Sequence, residues 1–333
     1  MKLFVSGGLG FIGSNFILHS FKNSKLHQIT NVDSMSLGSN PENLKEIENT
    51  ESYKFVRADI NDLTIVKEQM ADTDIVIHFA AESHVDRSIS EPRAFLHTNV
   101  DGTCTLLEAA RRSNVKKFIH ISTDEVYGSA PAGQSFHESS PLNPSSPYSA
   151  SKAAAEMLVL AYHKTYGVPI VILRCTNNFG PRQFPEKLVP KTIIRAILGL
   201  RIPVYGNGQQ IRDWIDVSDF CNAIDLTLEK GRDGSIYNVS AGNEISNLET
   251  VTRILSILKK NSDIVEFVED RPGHDFRYSL DSSLIRKELG WEPKHSFGSA
   301  LKSTVDWYAR NENWWKPLLD ENTLSPAPWK EKW

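Results

Sequence analysis

Short apolar runs alternate with stretches of helical spacing through the first half of the chain. Lys2–Val5, Ile29–Val32, Tyr53–Val56, Ile75–Phe79, Phe118–Ile121 and Ile170–Leu173 read as buried strands, being too short for stable helices and rich in Val, Ile and Phe. Between them, Phe11–Phe21, Leu63–Met70, Ala94–Arg112 and Ala150–Tyr166 carry helical spacing, and the last two are long. Strand–helix alternation with short connections predicts α/β architecture: a doubly wound parallel sheet covered by helices on both faces. After about Thr176 the texture changes, with frequent Gly, Pro and Asn and helices at Val189–Leu198, Ser218–Leu228, Leu248–Lys259 and Gly298–Ala309. The pattern predicts a main domain over residues 1–175 and a smaller α/β domain over 176–333, with segments near 207–240 returning to the main sheet. Trp314, Trp315, Trp329 and Trp333 in the tail are expected to dock it on the body or on another subunit.

Composition narrows the class. The chain has 333 residues, 40% hydrophobic and 23% charged, which is ordinary for a globular protein. A formal net charge of -4 with no recurring basic cluster argues against nucleic acid as a partner. Cys104, Cys175 and Cys221 are widely spaced and form no Cys-x-x-Cys pair, so neither a disulfide framework nor a zinc site is expected. No cluster of His, Asp or Cys has the spacing of a metal site. A strand pattern starting at Met1, no cleavable apolar leader and no bilayer-length apolar run together predict a cytoplasmic protein away from membranes.

Gly7-Gly8-Leu9-Gly10-Phe11-Ile12-Gly13 follows the first strand and opens the first helix. Gly7 and Gly10 allow a tight turn and close approach to a pyrophosphate, and Gly13 allows close helix–strand packing. The phosphates then meet the free N–H groups of Phe11, Ile12 and Gly13 at the positive end of a helix. Asp33 ends the second strand, where a carboxylate accepts hydrogen bonds from a ribose diol and repels a 2′-phosphate. Residues 34–44 hold no Lys or Arg. The pattern predicts a Rossmann-type domain binding NAD rather than NADP. Asp59 and Ile60 are placed to cap the adenine edge, and Ala80 and Ala81 are small enough to let the cofactor lie flat; ordinary loop-end chemistry is the alternative for both pairs.

Tyr148-Ser149-Ala150-Ser151-Lys152 starts a long helix and puts Tyr148 and Lys152 on one face, one turn apart. A free tyrosine, with a pKa of about 10, is a poor base at neutral pH. A neighbouring ammonium and a positive nicotinamide ring favour the phenolate. Thr123, at the end of the Ile121-Ser122-Thr123 strand, can orient a substrate hydroxyl in the same cleft. Asp124 and Glu125 follow it. Two carboxyl groups in one cleft push their pKa values apart, giving one acid and one base, which suits elimination. A solvated turn or a helix N-cap is the alternative for that pair.

Taken together, the Gly7-x-x-Gly10-x-x-Gly13 loop, Ala80-Ala81-Glu82-Ser83-His84-Val85-Asp86, Thr123-Asp124-Glu125-Val126-Tyr127-Gly128 and Tyr148-x-x-x-Lys152 resemble the extended short-chain dehydrogenase/reductases. More narrowly they resemble the dTDP-glucose 4,6-dehydratases. The likeness continues through Asn177-Asn178-Phe179-Gly180-Pro181, Phe184-Pro185-Glu186-Lys187-Leu188, Ile211-Arg212-Asp213-Trp214 and Asp270-Arg271-Pro272-Gly273-His274-Asp275, reaching about residue 310. The resemblance implies a hydro-lyase with tightly bound NAD. Tyr148 takes the C4 hydroxyl proton of a nucleotide-linked glucose as its C4 hydride passes to NAD, with Thr123 and Lys152 holding the geometry. Glu125 removes the C5 hydrogen, Asp124 protonates the departing C6 hydroxyl, and hydride returns to C6. It further implies that Asn178, Arg212, Asn247, Arg271 and His274 hold the diphosphate and nucleoside. Lys187, Leu188, Thr123 and His84 are its remaining substrate contacts, with a hydrogen-bonded structural role as the alternative for His84. Surface ion pairs with Asp213 and Asp270 are the alternative for Arg212 and Arg271. A homodimer packing the Ala94–Arg112 and Ala150–Tyr166 helices into a bundle is also implied. Ser6, Phe179, Ile215-Asp216 and Ser34–Asn40 depart from the family pattern, near substrate recognition rather than the chemistry. The competing expectations are a nucleotide-sugar 4-epimerase or decarboxylase of the same fold, and a non-catalytic NAD-binding regulator.

Overall fold

The computed structural model describes residues 1–23 and 28–331; Trp333 lies outside them. Along the chain run β1 (Lys2–Ser6), α1 (Phe11–Lys22), β2 (Gln28–Asp33), β3 (Tyr53–Arg57), α2 (Leu63–Met70), β4 (Ile75–His78), α3 (Val85–Ser90), α4 (Pro92–Phe95), α5 (Gly102–Ser113), β5 (Lys117–Thr123), α6 (Pro147–Tyr166) and β6 (Ile170–Cys175). There follow β7 (Asn177–Phe179), α7 (Leu188–Ile197), β8 (Ile202–Tyr205), β9 (Ile211–Asp216), α8 (Val217–Lys230), β10 (Ser235–Val239), β11 (Glu244–Ser246), α9 (Asn247–Ile257), β12 (Val265–Val268), α10 (Ser283–Leu289) and α11 (Phe297–Arg310).

Seven strands form one parallel sheet in the order β10-β6-β5-β4-β1-β2-β3. The period-two alternation of each strand feeds two cores. Leu3, Val5, Ile77, Ile119, Ile121 and Leu173 pack under α1 and α8. Phe4, Val76, Phe118, Ile170 and Ile172 pack under α2, α5 and α6 on the other face. A strand buried on both faces has no polar side to alternate with, which is why these segments read as continuous apolar runs. The strand order reverses between β1 and β4, and in such sheets ligands bind beyond the strand ends at that reversal.

Of residues 207–240, β10 lies at the edge of the large sheet and α8 packs on α1, whereas β9 pairs with β7 and β11 in a small three-stranded sheet. β8 and β12 form a separate parallel pair. A third core joins α7, α9 and α11 through Ile193, Ile254, Leu301 and the buried Trp315. The helix expected over Ala94–Arg112 is divided: α4 and α5 are joined by a π-helical stretch, Leu96–Asp101. Inside that wider turn Asn99 hydrogen-bonds the backbone of Glu82 and Ser151 Oγ, tying the helix to α6 and to the loop after β4. Such local insertions concentrate near functional sites.

Candidate active site

The glycine loop fits a dinucleotide. Gly7 has φ +73°, and a Cβ there would lie 2.6 Å from the Ala80 backbone. At Gly13 it would lie 2.5 Å from the Gly7 carbonyl oxygen, so neither position tolerates a side chain. Gly10 offers no side-chain cap to α1, and Phe11, Ile12 and Gly13 line the cleft that its N-terminus faces. Asp33 lies at the mouth, its carboxylate accepting from Leu9 N at 3.0 Å, Met35 N at 2.8 Å and Ser39 Oγ at 2.7 Å. Asp59, Ile60, Ala80 and Ala81 line the same cleft, and Asp59 also caps its own turn by accepting from Asn61 N. The cleft encloses about 1730 Å³, part of it open to solvent, and runs from Asp33 to Tyr148 and Lys152.

β5 and α6 build the far end. Ser146 caps α6 by accepting from Ser149 N at 3.1 Å, and Pro147 occupies the first turn, so Tyr148 enters the helix in a fixed frame. Glu156, two turns on, takes a hydrogen bond from Ser122 of β5 and a bidentate pair from Arg174 of β6, with its Oε2 2.6 Å from Arg174 Nη2. Lys152 donates to the Ile121 carbonyl at 2.7 Å, and burial pulls its pKa down to about 8 while Glu156 opposes the fall. Burial pushes the Tyr148 phenol well above its ordinary value, Glu125 adds to the rise, and a hydrogen bond with Thr123 opposes it. The expectation that Lys152 and a positive nicotinamide ring together favour the phenolate concerns the cofactor-bound cleft, and the protein groups alone push the phenol the other way. A positive ring in the cleft supplies the missing stabilisation of phenolate.

Thr123 accepts from Glu125 N at 3.2 Å and caps the single 3₁₀ turn Asp124–Tyr127. Asp124 is buried; Oδ1 accepts from Thr123 Oγ1 at 3.1 Å, and Oδ2 has no hydrogen-bond partner in the protein. Burial, reinforced by the charge of Glu125, holds the Asp124 carboxyl well above the usual range. Glu125 is also raised by burial, but Arg271, Arg212 and Lys187 pull it back, and Tyr278 donates to it at 3.3 Å. One carboxyl is pushed toward its neutral form while two arginines and a lysine oppose the same push on its neighbour, the kind of asymmetry that general acid–base chemistry needs. The turn is buried rather than solvated, so the N-cap alternative falls to Thr123 and not to the acids.

A second cavity adjoins the first, and Glu125 lines both. Its walls hold His84, Lys187, Leu188, Arg212, Asn247, Arg271 and His274; Asn178 faces the cofactor cleft instead. Arg212 stacks 4.3 Å over the Tyr278 ring and donates to the Asp275 carbonyl at 3.0 Å. Its neighbour Asp213 turns to the opposite side of β9 and accepts from Ser240 Oγ and Asn243 N. Arg271 pairs with Asp86 at 2.7 Å, while Asp270 accepts only its backbone N–H. Neither arginine makes the adjacent-residue ion pair. His84 lies 3.4 Å from Glu186, and Lys187 donates to the Ser83 carbonyl at 2.5 Å. His274 sits 2.6 Å from Asp270, yet burial, with Arg271 and Arg212, pushes it down to about 4. The buried Asn247 Oδ1 has no partner in the protein and is available to a ligand.

Asp86, Asn177 and Glu186, which the family motifs contain without an assigned role, and Lys191, Tyr205 and Tyr278, which no motif marks, also line this cavity. Tyr278 and Glu125 meet from 153 positions apart, a separation no local signal reports.

A family profile described as GDP-mannose 4,6 dehydratase matches residues 4–304. A dTDP-glucose 4,6-dehydratase from Streptomyces niveus is 47% identical over 98% of this chain and 99% of its own. One from Escherichia coli is 43% identical over 96% of this chain and 97% of its own. The crystal structure of a dTDP-glucose 4,6-dehydratase from Streptomyces venezuelae with NAD bound superposes with TM-score 0.93 at 43% identity, covering 96% of this chain and 100% of that one. A UDP-glucose 4-epimerase from Thermus thermophilus is more distant, at 30% identity and TM-score 0.86 over 93% of this chain and 100% of that one. The chain therefore belongs to the family described as GDP-mannose 4,6 dehydratase and, within it, to the dTDP-glucose 4,6-dehydratases.

Proposed function

We propose that this chain dehydrates dTDP-glucose to the 4-keto-6-deoxy sugar, with NAD held in the cleft behind the glycine loop. The observation that carries the reading is the Asp124–Glu125 pair where the two cavities meet, one carboxyl buried with no ion pair among the described residues and the other with its rise opposed by two arginines. Bound NAD supplies the acceptor for the C4 hydride and the donor that returns it at C6. Tyr148 takes the C4 hydroxyl proton, and Thr123, within hydrogen-bonding reach of both Tyr148 and Asp124, orients that hydroxyl. The Lys152 ammonium, pinned on the Ile121 carbonyl, fixes the cofactor's ribose and favours the phenolate. Once C4 is a ketone, the C5 hydrogen is acidic; Glu125 removes it and gives a proton back to C5 when hydride returns at C6. Asp124, whose neutral form burial favours, gives a proton to the C6 hydroxyl as water leaves.

Arg212 and Arg271, with Asn247, Lys187 and Leu188, hold the diphosphate and nucleoside, His84 and neutral His274 complete the wall, and Asn178 meets the substrate from the cofactor cleft. Residues 1–175 serve mainly the cofactor and 176–333 mainly the nucleotide sugar. Leu96, Met157 and Tyr166 are exposed apolar residues on the α4–α5 and α6 surface, which supports a homodimer built through that face. No helix of the described residues is long and apolar enough to cross a membrane, and we assign the enzyme to the cytoplasm. Incubation with dTDP-glucose and with UDP-glucose, read by mass, tests the reading. Loss of one water from dTDP-glucose is expected; a 4-keto or epimerised product that keeps its C6 hydroxyl would overturn it.

A further inference from the structure

The family match ends at residue 304, yet the segment after it returns to the substrate cavity. Three contacts place it there. The Ser325 carbonyl accepts from Lys191 Nζ at 3.2 Å, and the Leu324 carbonyl accepts from Arg195 Nη1 at 2.6 Å, so the segment runs along α7. The short turn Pro328–Lys330 then packs on α3. There the buried Trp329 meets Tyr205 of β8 edge-on, ring centroids 4.8 Å apart and planes at 87°. Lys191, Asp86 of α3 and Tyr205 all line the cavity. The tail is thus the outer layer behind three of its walls.

Tyr205 links this layer to the charged end of the cavity. Its hydroxyl donates to Asp86 Oδ2 at 2.8 Å, and Asp86 Oδ1 holds Arg271 Nη1 at 2.7 Å. A tyrosine side chain turns freely about χ1 and χ2 unless packing blocks it, and Trp329 is the packing on one side. We propose that Trp329 is a positioning residue: it fixes the Tyr205 ring, hence the Asp86–Arg271 pair, and so tightens binding of the substrate's nucleoside diphosphate. The proposal rests on the reading of this cavity as the nucleotide-sugar site. It assigns Trp329 no contact with the reacting carbons.

The test is binding of dTDP to the NAD-loaded full chain by calorimetry, alongside steady-state turnover. An edge-on aromatic pair contributes about 0.5–1.5 kcal/mol, so Trp329→Ala should raise the Kd for dTDP and the KM for dTDP-glucose about two- to tenfold. kcat should stay within about twofold, because Tyr148, Asp124 and Glu125 are untouched. Trp329→Phe restores an aromatic edge and should recover most of the affinity, whereas Trp329→Leu should not. A merely structural tail would lower melting temperature and active fraction in all three variants with no split between KM and kcat. If Trp329→Ala does not fold, the Phe and Leu variants decide, and equal Kd in the two overturns the proposal. Unchanged dTDP affinity in Trp329→Ala sinks this inference and leaves the dehydratase reading standing. Wild-type protein that binds dTDP in a Trp329-dependent way but removes no water sinks the dehydratase reading alone. Failure of the wild type to bind any nucleoside diphosphate overturns both.

Discussion

Replacing Asp124 by Asn removes a proton while keeping shape. The carboxyl is buried, one oxygen faces Thr123 Oγ1 at 3.1 Å and the other has no protein partner. Burial and the charge of Glu125 push its pKa up and so favour the neutral form, which the amide matches in charge and volume. Stability should move by less than about 1 kcal/mol. A positioned acid contributes roughly 10²–10⁴-fold to a rate, or about 2.7–5.4 kcal/mol of barrier. Water loss in Asp124→Asn should slow by that factor. Exchange of the C5 hydrogen needs Glu125 and a C4 ketone but no acid at C6. In D₂O, substrate recovered from Asp124→Asn should therefore carry deuterium at C5, with exchange slowed less than about tenfold. Glu125→Gln, in contrast, should lose exchange and water loss together. Mass spectrometry reads both events in one incubation. Equal slowing of exchange and elimination in Asp124→Asn would refute the division of labour, since it would place Asp124 upstream of C5 deprotonation.

Three further outcomes follow from local geometry. The alkaline limb of kcat/KM should begin at about pH 8, because burial lowers the Lys152 ammonium to that value and its charge is lost as pH rises through it. In Lys152→Arg the limb should move upward, and an unmoved limb would assign the titration to another group. Gly7→Ala should cost about 1–3 kcal/mol and release NAD on gel filtration, since its Cβ would stand 2.6 Å from the Ala80 backbone in a φ +73° residue; a variant that retains NAD would show that the loop yields. Glu156→Gln should cost about 3–5 kcal/mol by leaving Arg174 buried without its carboxylate, and an unchanged melting temperature would refute that estimate.

The large sheet and the cofactor loop were legible because their signals are local. Each strand is an apolar run a few residues long, and the glycines, the helix start and Asp33 lie within one β1–α1–β2 unit. Phasing along a strand resolved what adjacency could not. Arg212 and Asp213 are sequence neighbours, but β geometry sends them to opposite faces, so the suspected ion pair is geometrically excluded. The break in the long helix at Leu96–Asp101 left no periodic trace, because its cause is Asn99 reaching Glu82 and Ser151 in other elements. The substrate walls were half legible. Arg212 and Arg271 stood out by their charge and Asn247 through the family resemblance alone, whereas Asp86 and Tyr205 matter through partners 185 and 119 positions away.

The acid pair shows why neighbouring residues of one chemical type can take opposite roles. A 3₁₀ turn advances about three residues per turn, so consecutive side chains diverge by about 120°. That single step leaves Asp124 among the β5 end, Thr123 and Tyr148, where Arg212 lowers its pKa less than the charges of Glu125 and Asp213 each raise it. It carries Glu125 to the junction of the cavities, where Arg271 and Arg212 are the leading forces against desolvation. Asymmetry therefore comes from where the arginines stand, not from Asp against Glu. The cap matters as much as the acids: Thr123 holds the Glu125 N–H, starts the turn at that phase and touches Asp124 Oδ1. On the proposed assignment, the residue that orients the substrate hydroxyl also sets the angle at which acid and base part.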